Sequence, residues 1–317
     1  METIRKVLFV DNAHPVLKAE LISMGFSCDE FTGSTAADCS LVIGDYFGAV
    51  IRSKIIFDAA MLETATQLRF IARVGAGMES IDVEYAKSKG IVCFNSPEGN
   101  RDAVAEHALG MLLSLLNNLN RADVEVRKGI WRREANRGIE IKGKTIGIIG
   151  YGNMGGAFAQ RLKGFGCRVL AYDKYKTGFS DEFVTECDME AIYAETDILS
   201  LHVPLTTETR YLVDENYINR FVKNFWLINT SRGPVVNTAA LAGTLKSGKI
   251  NGAALDVLEY EKSSFEAMDA EAFPEPLKQL VAFDNVILSP HIAGWTVESK
   301  YKLAKVLADK IRIHFFG

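Results

Sequence analysis

One run of residues, Lys144 to Asp173, limits what this 317-residue chain can fold into more than any other. Thr145 to Ile149 is an unbroken apolar segment and reads as a strand buried on both faces. It leads into Gly150-Tyr151-Gly152-Asn153-Met154-Gly155, which fits G-x-G-x-x-G. Gly156 to Phe165 has helical spacing at Phe158, Leu162 and Phe165, and Arg168 to Tyr172 is a second strand that ends in Asp173. In that order each glycine has a task. Gly150 permits the tight turn, Gly152 lets the backbone approach a pyrophosphate, and Gly155 lets helix and strand pack closely. The helix N-terminus offers free N–H groups and the positive end of its dipole to the phosphates. Asp173 falls where an acid accepts hydrogen bonds from both hydroxyls of an adenosine ribose. That favours NAD, and its charge is expected to exclude the 2′-phosphate of NADP.

The length suits two domains, and a hydrophobic share of 48% supplies large cores. No run is long enough to cross a bilayer, and Met1 to Asp11 lacks the apolar stretch of a signal peptide. The formal charge is −4, with both signs interspersed, so neither nucleic acid nor a membrane surface is expected as a partner. Cys28, Cys39, Cys93, Cys167 and Cys187 are scattered, with no pair at metal-ligand spacing. No metal is expected. Free thiols suit a reducing compartment, which places the protein in the cytoplasm.

The first hundred residues alternate strand and helix. Lys6 to Val10, Phe47 to Arg52, Phe70 to Val74 and Ile91 to Asn95 read as strands, and Pro15 to Met24 as a helix. Ser96 to Asn100 is a break, with Asn100 as N-cap of a long helix that carries Val104, Ala108, Met111, Leu112, Leu115 and Leu119. Later strands are expected at Asp197 to Leu201, Phe225 to Asn229, Ile250 to Asp256 and Asn285 to Leu288. After a second break at Ser289-Pro290, Val297, Tyr301, Ala304, Ala308, Ile311 and Phe315 mark a closing helix able to return to the first domain. The fold expected is a doubly wound parallel-sheet Rossmann domain, residues 99–289, inserted into a second, flavodoxin-like α/β domain made of residues 1–98 and 290–317. Crossings near residues 98 and 290 would form a cleft and a hinge.

Three further stretches end strands or breaks and carry chemistry. Asn229 to Pro234 puts Arg232 at the carboxyl end of a buried strand, where ligands bind in such sheets. Leu255 to Glu261 places acids at the same edge, and Ser289 to Gly294 puts His291 at the second crossing. Arginine, carboxylate and histidine together suit hydride transfer on a 2-hydroxy acid. The planar guanidinium matches a carboxylate, an imidazole exchanges the hydroxyl proton, and a neighbouring carboxylate orients that imidazole and favours its charged form.

With these stretches in view, the chain resembles the D-isomer-specific 2-hydroxyacid dehydrogenase family over essentially its whole length. The resemblance is greatest to phosphoglycerate dehydrogenase-like and D-lactate dehydrogenase-like members. It rests on Gly150 to Gly155, Asn229 to Pro234, Ala253 to Glu261 and Ser289 to Gly294. It implies a catalytic triad of Arg232, Glu261 and His291, with Glu261 preferred to Glu259 because it falls five residues after Asp256. It also implies NAD contacts at Asn153, Met154, Asp173, Thr230, Ser231, Asp256 and Gly294, beside Gly150, Gly152 and Gly155. Backbone N–H groups of Arg73-Val74-Gly75-Ala76-Gly77 would hold the substrate carboxylate, and a homodimer would form through the helix after Asn100 and the arm to Gly143.

Arg52, Arg73 and Arg133 stand at positions like those that hold the phosphate of 3-phosphoglycerate, which makes that acid the first expectation. Against it, the chain ends soon after its closing helix, without a regulatory domain. The segment between Glu261 and His291 is also long and acidic, Lys262 to Pro276, as in the D-lactate dehydrogenase branch. Reductases of D-lactate type or of hydroxypyruvate and glyoxylate are the alternatives. From another class, an NAD(H)-sensing corepressor that binds partner peptides is also kept.

Overall fold

The computed structural model describes residues 5–261 and 269–317. Much of the expected acidic loop, residues 262–268, therefore lies outside the described residues. The chain divides into two compact units, Met1–Arg101 with Trp295–Gly317, and Asp102–Gly294.

In the first unit five parallel strands, β1 (Lys6–Phe9), β2 (Ser27–Glu30), β3 (Gly48–Ile51), β4 (Phe70–Arg73) and β5 (Val92–Phe94), lie in the order β2-β1-β3-β4-β5. This is the flavodoxin-like order, with its reversal between β1 and β3. Side chains alternate across the sheet. Leu8, Ala49, Ile51 and Ile71 pack with Cys39, Phe57 and Leu62 on one face. Val7, Phe9, Val50, Phe70 and Ala72 pack with Leu17, Leu303, Leu307 and Ile311 on the other. Each fully buried Val, Leu, Ile or Phe side chain among them contributes about 1.5–3 kcal/mol.

The helix Val297–Phe316 closes this second face, and Thr296 opens it with a reciprocal capping box to Ser299. Two positions of the expected stripe are corrected here. Val297 is 87% and Tyr301 46% exposed, and the buried stripe is Leu303, Ala304, Leu307, Ala308 and Ile311. The helix after the first break runs Pro97–Leu116, so Asn100 lies within its first turns and is not its N-cap. Proline suits a first turn because its fixed φ is helical and its missing N–H has no intrahelical partner there. Gly99 lets this helix cross the closing one, since a Cβ there would fall 2.6 Å from the Leu303 backbone.

In the second unit β6 (Thr145–Ile149), β7 (Arg168–Tyr172), β8 (Val184–Glu186), β9 (Ile198–Leu201), β10 (Phe225–Asn229), β11 (Ile250–Leu255) and β12 (Val286–Leu288) are all parallel. Their order is β12-β11-β10-β9-β6-β7-β8, doubly wound with its reversal at β6 and β9. Ile146 and Ile148 face a core with Met111, Leu112, Leu115 and Phe158. Ile149, Leu170, Leu199 and Leu227 face the opposite core with Ile192, Ile218 and Leu241. Both faces of β6 are thus covered, which explains its unbroken apolar sequence. Among the described residues no helix is long and apolar enough to cross a membrane.

Candidate active site

Local geometry explains each glycine of the loop after β6. Gly150 has φ +91°, and a Cβ there would lie 2.6 Å from the His202 carbonyl oxygen. A Cβ on Gly155 would lie 2.0 Å from the Gly150 oxygen, so only glycine lets the helix Asn153–Arg161 come this close to the strand end. Gly152 caps that helix, and a Cβ there would meet nothing within 4 Å. Open space therefore lies before Asn153 and Met154 at the helix start, which fits a pyrophosphate on free N–H groups. Asp173 Oδ2 accepts from the Tyr151 N–H at 2.8 Å, and its Oδ1 accepts from the Tyr175 and Lys176 N–H groups at 2.9 and 3.0 Å. The acid thus ties the end of β7 to the glycine loop. Lys174 Nζ and Tyr175 OH both donate to Glu208 Oε2 at 2.8 Å, joining the segments after β7 and β9, a link with no signal in the sequence. Just after β10, Thr230 is buried, and its hydroxyl has no hydrogen-bond partner among the described residues, a further point at which the residues present fit a bound nucleotide.

Arg232, Glu261 and His291 follow β10, β11 and β12, three adjacent strands, at the carboxyl edge of one sheet. Buried polar groups position the turns of Arg232 and His291. Asn229 Oδ1 accepts from Ser231 N–H and Oγ at 3.0 and 2.7 Å, and Asn229 Nδ2 donates to the Arg232 carbonyl at 3.0 Å. Gly233 follows, and a Cβ there would lie 1.9 Å from the Leu258 oxygen, so this turn presses against the chain leaving β11. Asp256 is 1% exposed. Its carboxylate accepts from Ser289 Oγ at 2.6 Å, Ile292 N–H at 2.9 Å and Ala293 N–H at 2.8 Å, while its carbonyl accepts from His291 N–H at 2.7 Å. His107 Nε2 reaches the same cluster, 3.0 Å from Ser289 Oγ. The carboxylate expected to face NAD is thus the one that builds the histidine turn.

His291 adopts a left-handed conformation, φ +57°, rare outside glycine and asparagine and often seen at functional sites. Its Nδ1 lies 3.0 Å from Glu261 Oε1, both side chains about a quarter exposed. Glu259 faces elsewhere, accepting from Thr238 N–H at 2.9 Å and Tyr211 OH at 2.8 Å. Gly294 ends this unit. His202, which no sequence pattern marks, sits just after β9 with Nε2 2.8 Å from Ser200 Oγ, its ring against Phe158, and an Nδ1 without a partner among the described residues. Burial pushes its imidazole down to about 3.

In the first unit, Val74 N–H donates to the Ile51 carbonyl, and Gly75 has φ +153° with the Arg73 guanidinium folded over it. Asn95 Nδ2 donates to the Ala76 carbonyl at 2.7 Å, which holds the Gly75-Ala76-Gly77 loop. Arg52 follows β3 and stacks on Trp295, 3.9 Å from guanidinium carbon to ring centroid. Arg133 is exposed and belongs to the other unit, in the segment after the helix Leu119–Arg127. Among the described residues no group of three His, Cys, Asp or Glu could hold a metal.

Residues 109–293 match the model of the D-isomer specific 2-hydroxyacid dehydrogenase NAD binding domain. The chain belongs to this family. It carries the family's NAD-binding domain, with NAD as cofactor. Hydroxypyruvate reductase of Thermotoga maritima is 36% identical over 83% of this chain and 82% of its own length. D-3-phosphoglycerate dehydrogenase of Archaeoglobus fulgidus is 34% identical over 90% of this chain, which spans only 53% of that protein. Among solved structures, D-lactate dehydrogenase of Aquifex aeolicus, complexed with NAD and lactic acid, superimposes with a TM-score of 0.83. It is 28% identical and covers 97% of this chain and 95% of its own.

Proposed function

We propose that this family member transfers a hydride between NAD(H) and a D-2-hydroxy acid or its 2-oxo acid, with Arg232, Glu261 and His291 as the catalytic side chains. The supporting observation is the 3.0 Å contact of His291 Nδ1 with Glu261 Oε1 beside the turn that carries Arg232. Glu261 turns the imidazole so that Nε2 serves the substrate oxygen, taking the hydroxyl proton in oxidation and returning it in reduction. Arg232 holds the substrate carboxylate and polarises the carbonyl oxygen with its planar donors. Bound NAD supplies the acceptor for the hydride leaving C2. Asp173 receives the adenosine ribose, the helix start at Asn153 and Met154 the pyrophosphate, and Thr230, Ser231, Asp256 and Gly294 line the nicotinamide end. In the Gly75-Ala76-Gly77 loop the Gly75 N–H is taken by the Arg73 carbonyl at 2.9 Å, so the N–H groups of Ala76 and Gly77 are the ones that bind the substrate carboxylate.

For the substrate we favour 3-phosphoglycerate, with Arg52 toward the phosphate. Reduction of hydroxypyruvate or glyoxylate is the second reading. It is favoured by the Thermotoga relative and by glyoxylate reductase of Thermofilum pendens, 38% identical over 80% of this chain. We assign NAD to residues 99–289 and the substrate to residues 1–98 with 290–317. Five free cysteines support a cytoplasmic setting. Exposed Leu119, Val124, Val126 and Trp131, at 49–74%, support a homodimer through that stretch.

NADH oxidation with 3-phosphohydroxypyruvate, hydroxypyruvate, glyoxylate and pyruvate tests the reading. Turnover is expected, fastest on the phosphorylated acid. His291→Gln should lower kcat by about two to four orders of magnitude while NADH still binds. Binding of NADH without turnover of any acid would overturn the enzyme reading in favour of a sensor.

A further inference from the structure

The first unit carries a stacked cation whose setting points to what it recognises. Its sheet reverses order between β1 and β3, and ligands collect at the carboxyl ends of strands at such a point. Arg52 is the first residue beyond β3. Its backbone N–H donates to Asp11 Oδ2, and the Lys54 N–H reaches the same oxygen at 3.4 Å, so the acid from the end of β1 is spent on the backbone. The Arg52 side chain is half-buried, and among the described residues no carboxylate lies within ion-pair distance of its guanidinium. Burial pulls its proton affinity down, only partly offset by Asp11. A half-buried cation whose nearest acid is engaged by backbone N–H groups and only partly compensates it is better satisfied when a second anion arrives to meet it.

We infer that Trp295 is the positioning residue for Arg52. Together they read the end of the substrate remote from its 2-oxo acid group and select acids that bear a second oxyanion. This rests on the function proposed above. The indole takes one face of the guanidinium at 3.9 Å and fixes its plane, leaving the N–H edge for a bidentate contact with phosphate or carboxylate. The register supplies the length. Ile51 lies opposite Arg73, so Arg52 and Val74 leave adjacent strands at one level, about 4.8 Å apart. Just beyond Val74, the N–H groups of Ala76, Gly77 and Met78 have no acceptor among the described residues. An acid whose carboxylate sits on these amides turns a group on its third carbon toward Arg52. Trp295 is 54% exposed, and no sequence pattern marks it.

The test compares wild type, Trp295→Ala and Trp295→Phe in full-length protein. With Trp295→Ala, the ratio of kcat/KM for 3-phosphohydroxypyruvate over pyruvate should fall about 3- to 30-fold, the usual range for a cation–π contact. The change should lie in KM, and Trp295→Phe should restore most of it. Calorimetric titration with 3-phosphoglycerate and with D-lactate reads the same preference without turnover. Loss of the 3-phosphoglycerate preference in Trp295→Ala supports the inference. Equal weakening toward both acids would make Trp295 a general wall and sink it. If wild type turns over no acid yet binds 3-phosphoglycerate through Trp295, the enzyme reading fails and this one stands. A preference for a carboxylate such as oxaloacetate over the phosphate would identify the other oxyanion.

Discussion

Burial keeps the His202 imidazole neutral, and this has a consequence for acid stability. The unfolded chain takes up a proton at this residue near pH 6.5, whereas the folded chain does so only near 3. Stability should therefore fall as the pH is lowered through that window and level off below it. The slope from this residue is at most about 1.4 kcal/mol per pH unit. Between pH 7.0 and 5.5 the carboxylates of Glu20 and Glu125, held below their usual values by Lys305 and by Asn136 respectively, stay charged. Urea unfolding at those two pH values should show a loss of about 1 kcal/mol that His202→Gln abolishes. The same loss in the variant would place the sensitivity elsewhere. His202 was not legible as a special residue because one histidine after a strand carries no pattern. That Arg232, Glu261 and His291 share one sheet edge was legible because each follows an apolar strand in a turn-forming stretch, and strand ends converge on one edge in a parallel sheet. Asp256 was legible as an acid at that edge. Its engagement with Ser289, Ile292 and Ala293 depends on a chain segment more than thirty positions away, which local sequence does not show.

Among the elements, the join of β6 to its helix is the least tolerant of added volume. Gly155→Ala places a methyl 2.0 Å from the Gly150 oxygen and should cost about 1–3 kcal/mol as well as weaken NADH binding. Gly156→Ala, with nothing within 4 Å of the new methyl, is the matched control and should be neutral or slightly stabilising. Thermal unfolding and NADH fluorescence titration compare the two. Equal behaviour would show that the close approach is dispensable. Central strands were readable from their apolar runs. The edge strands β2, with the sequence Ser-Cys-Asp-Glu, and β8, three residues long, were not, because an edge strand needs neither length nor an apolar face. The start of the helix at Pro97 was misplaced for a related reason. Asn100 is a good cap by type, but the proline three residues before it is already preset for the first turn.

At the level of the whole molecule, two doubly wound sheets of different strand order are built from one chain. Alternation of strand and helix made two parallel sheets legible. The orders themselves depend on which side each crossover takes, and no residue declares that. Quaternary structure offers a direct test. Light scattering is expected to give a dimer, and Val126→Glu combined with Trp131→Glu should yield monomer at micromolar concentration, because both side chains are exposed apolar groups. Unchanged mass would move the contact to another surface. On the reading of Arg52 given above, the register of Ile51 against Arg73 has a last consequence. Two anchoring points carried by neighbouring strands are separated by the spacing of the sheet itself. Insertions in distant connections cannot stretch that gauge, so a change in accepted molecular size must come from exchanging the side chains at its two ends.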